Sequence, residues 1–175
     1  KEAKIWFSQI QSQEFKAHSK FYEGIGLMKQ WSFDAALECL ESFLKNSHTE
    51  IYRRLVVQVN IVACLVAIER IEEALKIIPE LREKLKQANA NLLLSNLFEI
   101  EIQAQFLGKN KKALSDLNEN DLYKLGTSSH KLYLEKWILL SKQDQLSSEN
   151  FLLQVERLRQ KALELGNWET VRDLD

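Results

Sequence analysis

The sequence predicts an all-α fold of antiparallel helix–turn–helix units stacked one on the next, and three observations predict it. A phrase recurs along the chain: a bulky residue, two variable positions, an alanine, and an apolar residue four further on. Phe33-Asp34-Ala35-Ala36 with Leu40 is the first copy, Ile71-Glu72-Glu73-Ala74 with Ile78 the second. Asn110-Lys111-Lys112-Ala113 with Leu117 is a weaker third, because Asn110 stands in the bulky place. The alanines lie 38 and then 39 residues apart, and periods of roughly 20–50 residues mark stacked-repeat architectures. The second observation is one proline and five glycines in 175 residues, a scarcity that suits long helices joined by short turns. The third is apolar spacing at i, i+3 and i+4 through most of the chain.

Taken in order, Ile5, Trp6, Phe7 and Ile10 give the apolar face of a first short helix. A second runs from about residue 14 to 29 on Phe15, His18, Phe21, Tyr22, Ile25 and Met28. Gln30-Trp31-Ser32 is a turn, with Ser32 placed to cap a helix whose stripe is Phe33, Ala36, Leu37, Leu40, Phe43 and Leu44. Thr49 is placed to cap the next. Residues 50–69 are apolar on nearly every side; a helix of that kind is packed all round, so it is expected at the centre of the array. Its uninterrupted apolar run, 55–68, carries Gln58 and Asn60 and falls short of the roughly 20 residues a bilayer crossing needs.

Residues 72–88 form its partner, with Ala74, Leu75, Ile78, Leu81 and Leu85 inward and a kink or break expected at Pro79. Helices follow over about 92–107 and 111–117. Asn118-Glu119-Asn120-Asp121 then interrupts the rhythm, and residues 125–129 turn the chain. Leu132, Tyr133, Trp137, Ile138 and Leu140 lie on a helix over 130–142. Ser147-Ser148-Glu149 starts another, through Phe151, Leu152, Val155, Leu158 and Ala162. Trp168 to Val171 restates the recurring phrase out of step, with Val171 in the alanine's place. The expectation is nine or ten helices, no strand and one helical-repeat domain over 1–175. It has a repeat-like core over 14–117 and an irregular helical continuation over 118–175.

Composition narrows the function classes. The chain is 45% hydrophobic and 28% charged with a net charge of −1, which argues against a dedicated nucleic-acid binder with its basic face. The basic groups Arg53-Arg54, Lys109 with Lys111-Lys112, and 157–161 read as solvated helix faces, the last diluted by Glu156 and Glu164. Cys39 and Cys64 sit in apolar helical runs and read as buried reduced thiols, which fits a cytoplasmic setting. His18, His48 and His130 are scattered, so neither a metal nor a cofactor is expected. The chain opens at Lys1 without an initiator methionine and stops inside a helical pattern, so it is expected to be part of a longer protein.

The phrase around Phe33 resembles the entry to the second helix of a tetratricopeptide repeat. In that family a small residue twelve positions before the alanine lets two helices approach closely, and Gly24 stands there. Leu40 and Phe43 fill the apolar positions that follow; Val62 and Glu101 replace the small residue in the second and third copies. The resemblance covers about 14–117, and it implies a short right-handed α-solenoid. The alternatives are a different α-solenoid or a helical bundle that echoes itself.

The resemblance also implies a concave groove lined by the first helix of each pair. Carried over by position, that face comprises His18, Phe21, Tyr22, Ile25 and Lys29, then Val59, Asn60 and Ala63, then Phe98, Glu99 and Ile102. Asparagine on that face often bonds a peptide backbone in the family, although Asn60 also suits a neighbouring buried polar group. An apolar groove suits an amphipathic helix, either a partner's or the protein's own first helix.

Residues of catalytic type do not converge. Gly24-Ile25-Gly26 lacks a third glycine and a preceding strand, and Glu99 and Glu101, two apart, do not share a helix face and read as solvated. The expected function is therefore a non-catalytic protein-interaction module, a scaffold or adaptor whose partner is a protein or peptide, with no membrane. The alternatives are a regulatory domain of a larger transcription regulator or signalling protein, and a helical accessory domain of an enzyme.

Overall fold

The computed structural model describes residues 13–46, 50–109 and 128–175, and every regular element among them is helical. We number these α1 (Gln13–Lys29), α2 (Phe33–Asn46), α3 (Ile51–Ala67), α4 (Ile71–Gln87), α5 (Asn91–Leu107), α6 (Ser128–Ser141), α7 (Ser148–Glu164) and α8 (Trp168–Leu174). A single 3₁₀ turn, Gln143–Gln145, lies between α6 and α7. The helices expected near residues 5–10 and 111–117 lie outside the described residues. The chain divides into two compact units, Lys1–Lys84 and Leu85–Asp175, the boundary falling in the last turn of α4.

In the first unit α1 packs on α2 and α2 on α3. The close approach of α1 and α2 is made at Gly24. A methyl group there would stand 3.0 Å from Cγ and Cδ2 of Leu40 and 3.3 Å from the Ala36 carbonyl. Ala36, Leu40 and Phe43 are fully buried beneath it. Gly26, two residues on, has nothing within 4 Å of the same probe position. A side chain would thus crowd its neighbours by a few tenths of an ångström at Gly24 and meet nothing at Gly26.

Helix α3 is buried along most of its circumference, through Leu55, Val57, Val59, Ile61, Val62, Cys64, Leu65 and Val66. Both cysteines are free and buried, and burial pushes the Cys64 thiol up to about 11. The helix begins after Glu50, which makes no side-chain cap bond; the expected cap, Thr49, lies outside the described residues. Arg54 is not a purely solvated cation, since its Nη1 donates to the Leu44 carbonyl 3.2 Å away, near the open end of α2.

Of the kink or break expected at Pro79, the break does not occur: α4 runs through it from Ile71 to Gln87. A proline inside a helix costs about 3 kcal/mol. Ala74, Ile78, Leu81 and Leu85, all at most 2% exposed, hold the helix on both sides of it. Pro79 itself faces solvent.

One device closes five helices. Trp31, Glu69, Asn89, Lys109 and Gly166 have left-handed backbone, with φ of 61°, 61°, 51°, 56° and 66°. At four of them the next N–H reaches back five residues: Ser32 to Leu27 (3.0 Å), Arg70 to Leu65 (2.8 Å), Ala90 to Leu85 (3.0 Å) and Asn167 to Ala162 (2.9 Å). This is the Schellman closure, usually made with glycine. Five residues past three of these left-handed positions come Ala36, Ala74 and Val171, whereas past Asn89 comes Leu94. The same offset from Lys109 falls on Leu114 rather than Ala113, in the stretch outside the described residues.

In the second unit α5 packs on α6, α6 on α7, and α8 on both α6 and α7. Leu132, Leu139, Leu158, Ala162 and Val171 form one buried cluster, and Ile102, Leu134 and Ile138 another. Ser147 caps α7 by accepting from the Asn150 N–H at 3.3 Å, and Asn167 caps α8 by accepting from Thr170 at 3.0 Å.

Candidate functional site

The residues expected on a groove face fall into three environments. On α1, Gly24 turns one side of the helix toward α2, and the rings of His18 and Phe21 follow it, 5.9 and 5.6 Å from the Phe43 ring. Both are half-buried and serve the α1–α2 contact. Tyr22 is 67% exposed, Lys29 is exposed and Ile25 half-buried. Phe15, 48% exposed, extends the line one heptad before Tyr22. The stripe Phe15–Tyr22–Lys29 is therefore open to solvent on the helix whose other side is closed by Gly24.

On α3, Val59 is buried and Ala63 half-buried. The Asn60 amide donates to the Val56 carbonyl of its own helix at 2.8 Å. That bond engages one of the two Nδ2 hydrogens within the helix. On α5, Ile102 is fully buried and Phe98 packs against Ile102, Leu134 and Ile138. Val59 and Ile102 lie in the interior, where apolar burial outweighs presentation on a surface.

The best-formed groove of the first unit has a volume of about 440 Å³ and lies along α2, α3 and α4. Leu44, Ile61, Ile77 and Leu81 line its apolar part, between Glu41 and Lys45 on one wall and Glu80 and Lys84 on the other. It is drawn largely by the second helix of each pair, not by the first.

The second unit holds a charged cluster that the apolar pattern did not announce. Lys136 of α6 has a side chain only 3% exposed, and its Nζ lies 2.8 Å from Oδ2 of Asp173 on α8. The ammonium sits 4.9 Å from the Trp137 ring centre and 5.3 Å from that of Tyr133, within cation–π range. Tyr133 donates to Oε2 of Glu169 at 3.1 Å, and Arg172 pairs with Asp173 at 2.8 Å. Burial alone would raise the Asp173 carboxyl, but hydrogen bonds from Lys136 and Arg172 outweigh it and hold the group below its ordinary range. Burial, with Glu169 adding to it, pushes the Tyr133 hydroxyl up.

Glu99 faces this cluster from α5. It is half-buried, and the expectation of a solvated carboxylate is corrected. Burial pushes it up to about 7, against the pull of Lys136 and with the push of Glu169 and Asp173. The arrangement stores a proton at Glu99 near neutral pH beside an enclosed ion pair. A signal for Lys136 was present in the sequence: it stands four after Leu132 and three before Leu139, on the buried stripe of its helix. Nothing local marks Asp173, 37 residues away, as its partner.

The chain matches no family model, no curated protein and no solved structure. Among the described residues, no helix is long and apolar enough to cross a membrane.

Proposed function

We propose that this chain is a non-catalytic protein-interaction module, a helical-repeat scaffold or adaptor resembling the tetratricopeptide repeat. It holds a peptide or a partner helix against the exposed side of its first helix, in a cytoplasmic setting that suits its two free thiols. The observation that carries this reading is the division of labour on α1. Gly24, His18 and Phe21 commit one side to α2, while Phe15, Tyr22 and Lys29 leave an aromatic and basic stripe to solvent. Exposed aromatic side chains are the common anchors of protein interfaces.

Affinity capture with the wild type and with Tyr22→Ala, Asn60→Ala and Gly26→Ala tests it. Tyr22→Ala is expected to lose a partner that Gly26→Ala keeps. Retention of every partner by both the Tyr22 and Asn60 variants overturns the groove assignment. A second reading, a regulatory domain within a larger protein, is favoured by the titratable cluster around Lys136, which gives the second unit a charge that changes near neutral pH.

A further inference from the structure

Two turns of the first unit close alike and lie side by side. After α1, Trp31 takes left-handed backbone at φ 61° and the Ser32 N–H returns to the Leu27 carbonyl. After α3, Glu69 takes the same φ and the Arg70 N–H returns to Leu65. The matching positions thus carry an indole and a carboxylate. Between the turns lies a cavity of about 440 Å³ lined by Trp31, Phe33, Asp34, Ala67, Ile68 and Glu69.

The aromatic wall of this cavity is a corner. The Trp31 and Phe33 rings stand edge to face, 6.0 Å apart at 80°, and Trp31 is 67% exposed. Helix α2 begins at the cavity and α3 ends there, so the positive end of one macrodipole offsets the negative end of the other. The side chains therefore set the charge, and the two that ionise, Asp34 and Glu69, are exposed carboxylates. No lysine or arginine is among the described residues that line it. Arg70 stands beside it and its charge reaches Asp34, but its guanidinium is forked onto Glu73 through bonds of 2.7 and 2.6 Å.

We propose that this cavity receives an arginine side chain of a partner protein. A guanidinium stacks on an aromatic face while its planar fork bonds a carboxylate. Here the rings and one carboxylate come from the α1–α2 corner and the second carboxylate from the α3–α4 turn. An ammonium binds as a point charge and lacks the planar fork and stack. Two carboxylates fall short of a metal's ligand set, and no group of three His, Cys, Asp or Glu among the described residues could hold one. The cavity shares no residue with the Phe15–Tyr22–Lys29 stripe and does not depend on it.

Titration of the whole chain with the capped peptide acetyl-Gly-Arg-Gly-amide, followed by NMR at the Trp31 indole N–H and the Ile68 amide, tests it. A saturable shift at both is expected. The same peptide with citrulline, a neutral isostere of arginine, is expected to bind about tenfold more weakly. Trp31→Leu, and Asp34→Asn combined with Glu69→Gln, should each weaken arginine binding about fivefold. Glu72→Gln, which removes an exposed carboxylate outside the lining, should leave it unchanged. The substituted side chains are all exposed, and wild-type amide shifts at buried Val57 and Leu65 certify the fold of each variant. Absence of a saturable shift, or binding that survives both sets of substitutions, overturns the site. Equal binding of the citrulline peptide, or of the same peptide with lysine, overturns the assignment to a guanidinium.

Discussion

Where α1 meets α2, a methyl group on Gly24 would stand 3.0 Å from the Leu40 side chain and 3.3 Å from the Ala36 carbonyl. Where α6 meets α8, an enclosed lysine is tied to Asp173 between two aromatic rings. The first contact depends at its notch on shape and dispersion. The second depends on charge, and protonation of Asp173 removes its ion pair with Lys136. Two units of one helical chain thus solve the same problem, fixing a helix on its neighbour, with different sensitivities to the solvent.

The largest effect is expected from breaking the charged contact on one side only. Lys136→Ala leaves Asp173 partly buried and deprived of its main cation, and removing one partner of a buried pair costs about 3–5 kcal/mol. Urea denaturation followed in residues 85–175 should show that loss; a change below about 1 kcal/mol would mean that the pair contributes no more than a surface bridge does.

Next comes the pH dependence. Glu99 has a folded pKa of about 7, raised from 4.5. Its contribution is fully present below the unfolded value and is lost as pH rises through 7, a change on the order of 2–3 kcal/mol. Asp173 has the opposite sign, because its folded pKa is depressed. Its contribution is present above the unfolded value and is lost as pH falls through the folded one. The second unit should therefore be most stable on the acid side of neutrality, between these two transitions. Glu99→Gln should flatten the curve from pH 6 to 8 and leave the acid limb intact. An unchanged neutral limb in that variant would assign the dependence to another group.

The glycine pair sharpens the other half of the comparison. Gly24→Ala and Gly26→Ala both gain about 1 kcal/mol of helix propensity. Only the first adds an overpacking penalty of about 1–3 kcal/mol against fully buried Leu40. Gly26→Ala should raise Tm and Gly24→Ala should fall below it by that penalty; equal melting temperatures would mean that the notch is not tight.

The smallest effect is a gain. Glu69→Gly relieves a left-handed L-residue in the turn before α4 and should stabilise the first unit by about 1 kcal/mol. A loss instead would show that the Glu69 side chain contributes more than its backbone strain.

How far the fold could be read without coordinates differs from element to element. The helices 14–29, 33–46 and 148–164 follow from apolar spacing, because burial of one face imposes the 3.6-residue period, whereas 51–67 follows from the length of its all-round apolar run. Gly24 was expected as a notch from the resemblance to the tetratricopeptide repeat, which places a small residue twelve positions before the alanine. At Pro79 local geometry allows a kink or a break, and the buried residues on either side keep the helix from breaking. Trp31 as a left-handed residue was not legible, since a bulky aromatic disfavours that backbone; the hydrogen bonds of the closure impose it.

The candidate site was less legible than the fold. Tyr22 was placed by its helix position and is exposed, whereas Val59 and Ile102 share the expected register and lie inside. Glu99 was named for its place on α5 but expected to be solvated, because spacing along one helix says nothing of a carboxylate arriving from another.

Composition and spacing by themselves determined that this chain is helical. That is a periodic property, written within a few residues of each position. Only the tertiary structure decided that Lys136 meets Asp173, that Glu99 titrates near neutrality, and that α4 survives its proline. Those outcomes depend on desolvation and on partners distant in sequence, which no run of neighbouring residues records.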